Sequence, residues 1–214
     1  MIAGFIAVAV VAYLLGSIPF GLIIGKLKGG VDIREHGSGK TGATNVMRTV
    51  GTRLGVLTLV LDVAKATAAV VLATIIIGSD NGTSIIGGVP VYWQHAAQVV
   101  AGLAAVAGHN WPVFAKFKGG RGVTAYFGTL FAIYPPAGIF GAQVVAIAAL
   151  RSRHMSLGSI LGASAALCLM IPLTIVYGFP PVYLAYGSVV VVLLVFQHLD
   201  NIRRLRQGTE RRLW

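Results

Sequence analysis

Three polar, glycine-rich clusters interrupt an otherwise apolar chain. The first runs Gly37-Ser38-Gly39-Lys40-Thr41-Gly42-Ala43-Thr44-Asn45, with Arg48 just beyond it. The second is Gly108-His109-Asn110-Trp111-Pro112, then Lys118-Gly119-Gly120-Arg121-Gly122. The third is His198-Leu199-Asp200-Asn201-Ile202-Arg203-Arg204-Leu205, followed by Gly208-Thr209-Glu210. Glycines permit positive φ and close backbone approach, so successive amides can cradle an oxyanion while lysine or arginine supplies charge. Two such loops suggest two phosphate groups. The competing explanation is that the glycines only let the loops turn and the cations only set membrane topology. In the third cluster His198 and Asn201 would share a helix face at i and i+3 if the helix continues. A histidine there can relay a proton or hydrogen-bond a substrate, and it can equally be an interfacial anchor.

Other chemistries fit poorly. Gly37-Ser38-Gly39-Lys40-Thr41 resembles the end of a P-loop, but the first glycine of that pattern would fall on Arg34. Nucleotide hydrolysis is therefore rejected. No pair of histidines has zinc-ligand spacing with a carboxylate helper, so neither a metal nor another cofactor is expected. The single cysteine, Cys168, lies in an apolar run and reads as a small core residue. A net charge of +11 would suit nucleic acid on a water-soluble domain with a basic face, but here the cations sit between long apolar runs, which argues against nucleic acid.

The elements that must position these clusters are membrane helices. The mean hydropathy is +0.82 and 56% of the 214 residues are hydrophobic, which a soluble domain does not reach. Apolar runs at about 2–25, 54–77, 93–110, 121–134, 136–151, 156–177 and 182–199 give seven candidate spans, with the fourth and fifth meeting at Tyr134-Pro135-Pro136. Sixteen of the 17 basic residues fall in 26–53, 111–121, 151–155 and the tail beyond 200, whereas 78–92, 134–136 and 178–181 carry none. Cytoplasmic loops hold the excess of positive charge. This alternation requires seven spans, an external N-terminus and a cytoplasmic C-terminus. The expected fold is an all-α integral membrane bundle forming one polytopic domain over 1–214.

In that topology the second, fourth and sixth spans begin on the cytoplasmic side, where free amides and the helix dipole favour anions. The first two clusters precede two of these starts, and Ser156 precedes the third. The remaining cation, Lys65, lies inside the second span three positions after Asp62. The pair can neutralise each other on one helix face, and reads either as an anchor or as part of the site.

The segments SGKTGATNVMR, GHNWPVFAKFKGGRGV and HLDNIRRLRQGTE resemble, in order, the three motifs of the PlsY family of acyl-phosphate:glycerol-3-phosphate acyltransferases. The likeness extends to Gly16-Ser17-Ile18-Pro19-Phe20-Gly21 and Leu61-Asp62 with Lys65. One departure is Lys40-Thr41, where the family commonly has Asn-Pro or Asn-Ile. The resemblance implies transfer of a fatty acyl group from acyl phosphate to the 1-hydroxyl of glycerol 3-phosphate. The products would be lysophosphatidic acid and phosphate, formed at the cytoplasmic face of the bacterial inner membrane for phospholipid synthesis. Membrane lipid is the surrounding partner, and neither acyl-CoA nor acyl carrier protein is the direct donor. None of the five histidines has an aspartate five positions later, as the His-x4-Asp acyltransferases require.

Carried onto this chain, the resemblance makes Ser38, His198 and Asn201 the catalytic candidates. Gly39, Thr44, Asn45, Arg48, His109, Asn110, Lys118, Gly119, Gly120, Arg121, Ser156 and Glu210 become candidates for binding phosphate and glycerol 3-phosphate. Either His198 or a substrate phosphate would take the hydroxyl proton. Acyl-chain preference and oligomeric state have no signature in the sequence. A phosphate transporter is the rival from another class, and internal inverted repeats would favour it; none is visible.

Overall fold

The computed structural model describes residues 1–78, 83–86 and 89–213. The chain falls into two compact units, Met1–Ala132 and Ile133–Trp214.

In the first unit, α1 (Ile2–Gly16) and α2 (Phe20–Gly29) are separated by Ser17–Pro19. The single first helix expected over 2–25 is thus two, together covering 28 residues. Proline has no amide to donate and restricts the residue before it, so the helical ladder is interrupted there. Next comes α3 (Ala43–Val50), a short helix where the sequence suggested only a loop, and Gly51 at φ +109 turns the chain into α4 (Thr52–Ile77). Leu22, Ile24, Ile33, Val46 and Ala115 form a buried apolar cluster beneath this region.

Two short antiparallel strands, β1 (Thr83–Ile86) and β2 (Val89–Tyr92), pair Thr83 with Tyr92 and Ile86 with Val89. They are the only strands among the described residues. Next come α5 (Trp93–Asn110) and α6 (Val123–Ile133). Close packing depends on small residues: Gly16 meets the backbone of Ala105, Gly108 meets that of Tyr13 and Ser17, and Gly128 meets that of Val63. This is how membrane helices associate when lipid supplies no hydrophobic drive between them.

The second unit contains α7 (Pro135–Ser152), α8 (Met155–Tyr177), α9 (Pro181–Gln197) and α10 (Leu199–Arg206). Gly158 and Gly162 bring α8 against Val145, Ala149 and Gly141 of α7. The axes of α9 and α10 differ by 57°.

By length and composition, Ile2–Gly29, Thr52–Ile77 and Met155–Tyr177 can each cross a membrane, and the bent α9–α10 pair is a fourth candidate. Their outward side chains are apolar, including Ile6, Val60, Ile75, Ile175, Val189 and Phe196. So broad an exposed apolar surface suits lipid, not water. Cys168 is exposed on α8, not a core residue as its apolar setting suggested: the setting is apolar because lipid faces it.

Candidate active site

Asn45, buried in the first turn of α3, organises the first cluster. Its Oδ1 accepts the Ser38 amide at 2.9 Å. Its Nδ2 donates to the carbonyls of Ile33 at 2.8 Å, Lys40 at 2.9 Å and His36 at 3.1 Å. Two N–H groups serving three carbonyls must share one hydrogen, and the donor–acceptor pattern fixes which way the amide points. Gly37 at φ +56 and Gly39 at φ +69 supply the left-handed turns that carry the loop around this side chain. Ser38, Gly39 and Thr44 are half-buried, and Arg48 is exposed. Lys40-Thr41 fits this geometry: Thr41 is buried and its amide donates to the Gly119 carbonyl at 3.4 Å. That hydrogen bond joins the first and second clusters.

A second link runs through residues the sequence did not single out. Asp32 Oδ1 accepts from the Arg34 amide at 3.0 Å and from Arg34 Nε at 2.9 Å, while Oδ2 accepts Nη2 at 2.6 Å. Thus held, Arg34 donates Nη1 to the Ala115 carbonyl at 3.3 Å. The hydrogen bond from the Arg34 side chain lowers the Asp32 pKa to about 2. The partner carbonyl lies 81 residues away, so spacing alone could not reveal the link.

In the second cluster the Gly120 amide donates to the His109 carbonyl at 3.0 Å. A side chain at Gly120 would strike His109 Nε2, and one at Gly119 would strike the His109 carbonyl. These glycines permit close approach, with the ring and the loop backbone in contact. On its other side, His109 Nδ1 lies 3.7 Å from Asp62 Oδ1. Asn110 is buried, and its amide oxygen and nitrogen have no hydrogen-bond partner among the described residues. Such an amide is costly to bury unless something polar meets it in function. Lys118 is exposed and Arg121 half-buried.

The third cluster lies in the second unit. The expected shared face of a continuing helix is replaced by a bend, with His198 at the joint and Asn201 in the first turn of α10, both buried. His198 Nδ1 is 2.8 Å from the Leu194 carbonyl. A carbonyl can only accept, so Nδ1 carries the hydrogen and, in the neutral ring, Nε2 carries the lone pair. Glu210 folds back with Oε1 accepting from Asn201 Nδ2 at 2.6 Å and Ser156 Oγ at 2.8 Å, and Oε2 accepting from Arg204 Nε at 2.8 Å. Burial pushes the Glu210 carboxyl up, and these hydrogen bonds outweigh it to hold the group below its ordinary value. The sequence suggested Glu210 and Ser156 as substrate contacts; here they bind each other and tie the tail to the start of α8.

A glycerol-3-phosphate acyltransferase family model matches residues 6–208. The chain belongs to this family, also called PlsY. The acyltransferase is 48% identical to glycerol-3-phosphate acyltransferase 3 of Dehalococcoides mccartyi strain 195, with 100% of this chain and 97% of the relative aligned. It is 37% identical to the glycerol-3-phosphate acyltransferase of Halalkalibacterium halodurans, over 94% of this chain and 92% of the relative. Crystal structures of the integral membrane glycerol 3-phosphate acyltransferase PlsY (YgiH) superpose with a TM-score of 0.82 for its glycerol 3-phosphate form and 0.80 for its lysophosphatidic acid form. Both are 38% identical, covering 97% of this chain and 94% of theirs. The acyltransferase is therefore an integral membrane enzyme with a helical fold.

Proposed function

We propose that the enzyme transfers a fatty acyl group from acyl phosphate to the 1-hydroxyl of glycerol 3-phosphate, releasing lysophosphatidic acid and phosphate for phospholipid synthesis. It would do so as a single polytopic domain in the bacterial inner membrane, with seven spans, the N-terminus outside and the site facing the cytoplasm. The observation that carries this reading is the joining of two glycine-rich loops, through Thr41 and Gly119, beside the cations of both clusters. Both substrates bring a phosphate, and the donor's tail stays in lipid while its headgroup meets these loops.

The alternation of basic residues supports the topology. With α6 as the fourth span, its 11 residues cover about 16 Å of a core about 30 Å thick. The glycine segment ahead of it then sits below the membrane surface. Irregular backbone is tolerated there only when buried in protein or lining a cavity, and Gly119, Gly120 and Gly122 are buried.

Lys118, Arg121 and Arg48, with the amides near Gly119 and Gly120, hold the phosphates. Ser38 and the amides around Gly39 stabilise the oxyanion that forms as the hydroxyl oxygen adds to the acyl carbonyl. Thr44, Asn110 and Asn201 orient glycerol 3-phosphate, whereas Asn45, His109, Ser156 and Glu210 act by shaping the loops. His198 Nε2 takes the hydroxyl proton, and the C–O bond to phosphate breaks with phosphate leaving. A carboxylic–phosphoric anhydride is already activated, so positioning and charge account for the catalysis without a covalent enzyme intermediate.

The test is purified enzyme in lipid, given palmitoyl phosphate and glycerol 3-phosphate without CoA, metal or nucleotide. Phosphate and lysophosphatidic acid should form in equal amounts; the Ser38→Ala variant should lose this activity, and Lys118→Ala should keep measurable turnover only with a raised KM for a phosphate-bearing substrate. Turnover with palmitoyl-CoA and none with palmitoyl phosphate would overturn the donor assignment. His198→Ala with unchanged turnover would pass the base role to a substrate phosphate.

A further inference from the structure

Asp62 and Lys65 are buried in α4, with Lys65 Nζ 2.6 Å from Asp62 Oδ1. As a plain anchor this is a poor construction. Removing both ions from water is offset only when their remaining hydrogen-bonding capacity is used, and apolar residues of similar size stabilise as well or better. Asp62 Oδ2 accepts no hydrogen bond among the described residues. What apolar residues could not do is hold other polar groups, and this pair faces two.

Lys65 Nζ donates to the Ile18 carbonyl at 2.7 Å, at the break between α1 and α2, and lies 5.7 Å from the Phe20 ring centroid. In the first turn of α2, Gly21 packs on the Thr41 carbonyl, and the Thr41 amide donates to the Gly119 carbonyl. In the other direction, Asp62 Oδ1 faces His109 Nδ1, and His109 Nε2 lies against Gly120. Two separate routes from one ion pair therefore end on adjacent residues of the same loop.

We infer that Asp62 and Lys65 are positioning residues for the Lys118–Arg121 loop, setting its backbone through His109 on one side and through the α1–α2 break and Thr41 on the other. This rests on the reading of that loop as a phosphate site. The pair touches no substrate; it holds the loop amides at the spacing an anion requires.

The experiment replaces the charges together, Asp62→Leu with Lys65→Met, so that neither ion is left buried alone. Lys118→Ala serves as the reference, and KM is followed for both substrates. The double variant should fold, with a melting midpoint near the parent's and kcat within about threefold. It should raise by about tenfold the same KM that Lys118→Ala raises. Adding the double substitution to His109→Ala should raise that KM by less than it does in the parent, because one route is already cut. A folded double variant with parental KM overturns the inference. Lys118→Ala leaving both KM values unchanged overturns the phosphate-loop reading instead. If the double variant does not fold, Gly120→Ala reports on the same contact. Its KM increase should vanish in the His109→Ala background, and full additivity there would count against the inference.

Discussion

Asn45 shows how one side chain can specify a loop. Its amide meets one amide and three carbonyls of residues 33–40, adding to the turn hydrogen bonds that the Ile33 and His36 carbonyls accept from the His36 and Gly39 amides. Leaving a buried polar group unsatisfied costs about 1–3 kcal/mol. Asn45→Ala is therefore expected to lower stability by about 2–3 kcal/mol and to abolish most turnover by letting Ser38 move. Asn45→Asp should be no better despite its equal size, because a carboxylate donates nothing and would face three carbonyl oxygens. Thermal unfolding and turnover in the same micelles test both variants; a stable, fully active Asn45→Ala enzyme would show that the loop holds its shape without this residue.

Among elements, the informative pieces are the short ones. The α1–α2 break and α3 both interrupt what hydropathy presents as span and loop, and each places backbone where a straight helix or a free loop could not. The Asp32–Arg34 clasp ties the turn after α2 to the turn after α5. Because the Asp32 pKa is lowered to about 2, the clasp contributes stability that is fully present above the ordinary carboxyl range of about 3.9. That contribution is lost as pH falls through the folded value. Asp32→Asn should therefore reproduce at neutral pH what the parent shows only near pH 2: lower protection of the amides of residues 31–35 and 113–118 relative to their intrinsic exchange rate at the same pH. Equal exchange in variant and parent at pH 7 would remove the clasp from the account.

At the scale of the molecule, the exposed apolar surface and the one-sided distribution of basic residues lead to a single expectation about orientation. In a Cys168→Ser background, Ala3→Cys should react with a membrane-impermeant thiol reagent added outside intact cells. Thr209→Cys should react only after the inner face is exposed. Labelling of both from the same side would contradict an odd number of spans. Measuring phosphate release from the same preparations checks that the labelled molecules are folded.

The sequence by itself determined the membrane helical class, the family and the three polar clusters. These depend on composition and on residues adjacent in the chain: hydropathy over about 20 positions, prolines at Tyr134-Pro135-Pro136, and motifs such as Lys118-Gly119-Gly120-Arg121. Only the tertiary structure decided what each polar residue faces. Asn45 shapes its own loop, Glu210 binds Ser156 and Asn201, and His109 sits between Asp62 and Gly120. The physical reason is that a hydrogen bond or ion pair depends on distances of about 3 Å between groups that can lie 54 or 81 residues apart, and local spacing carries no record of such meetings.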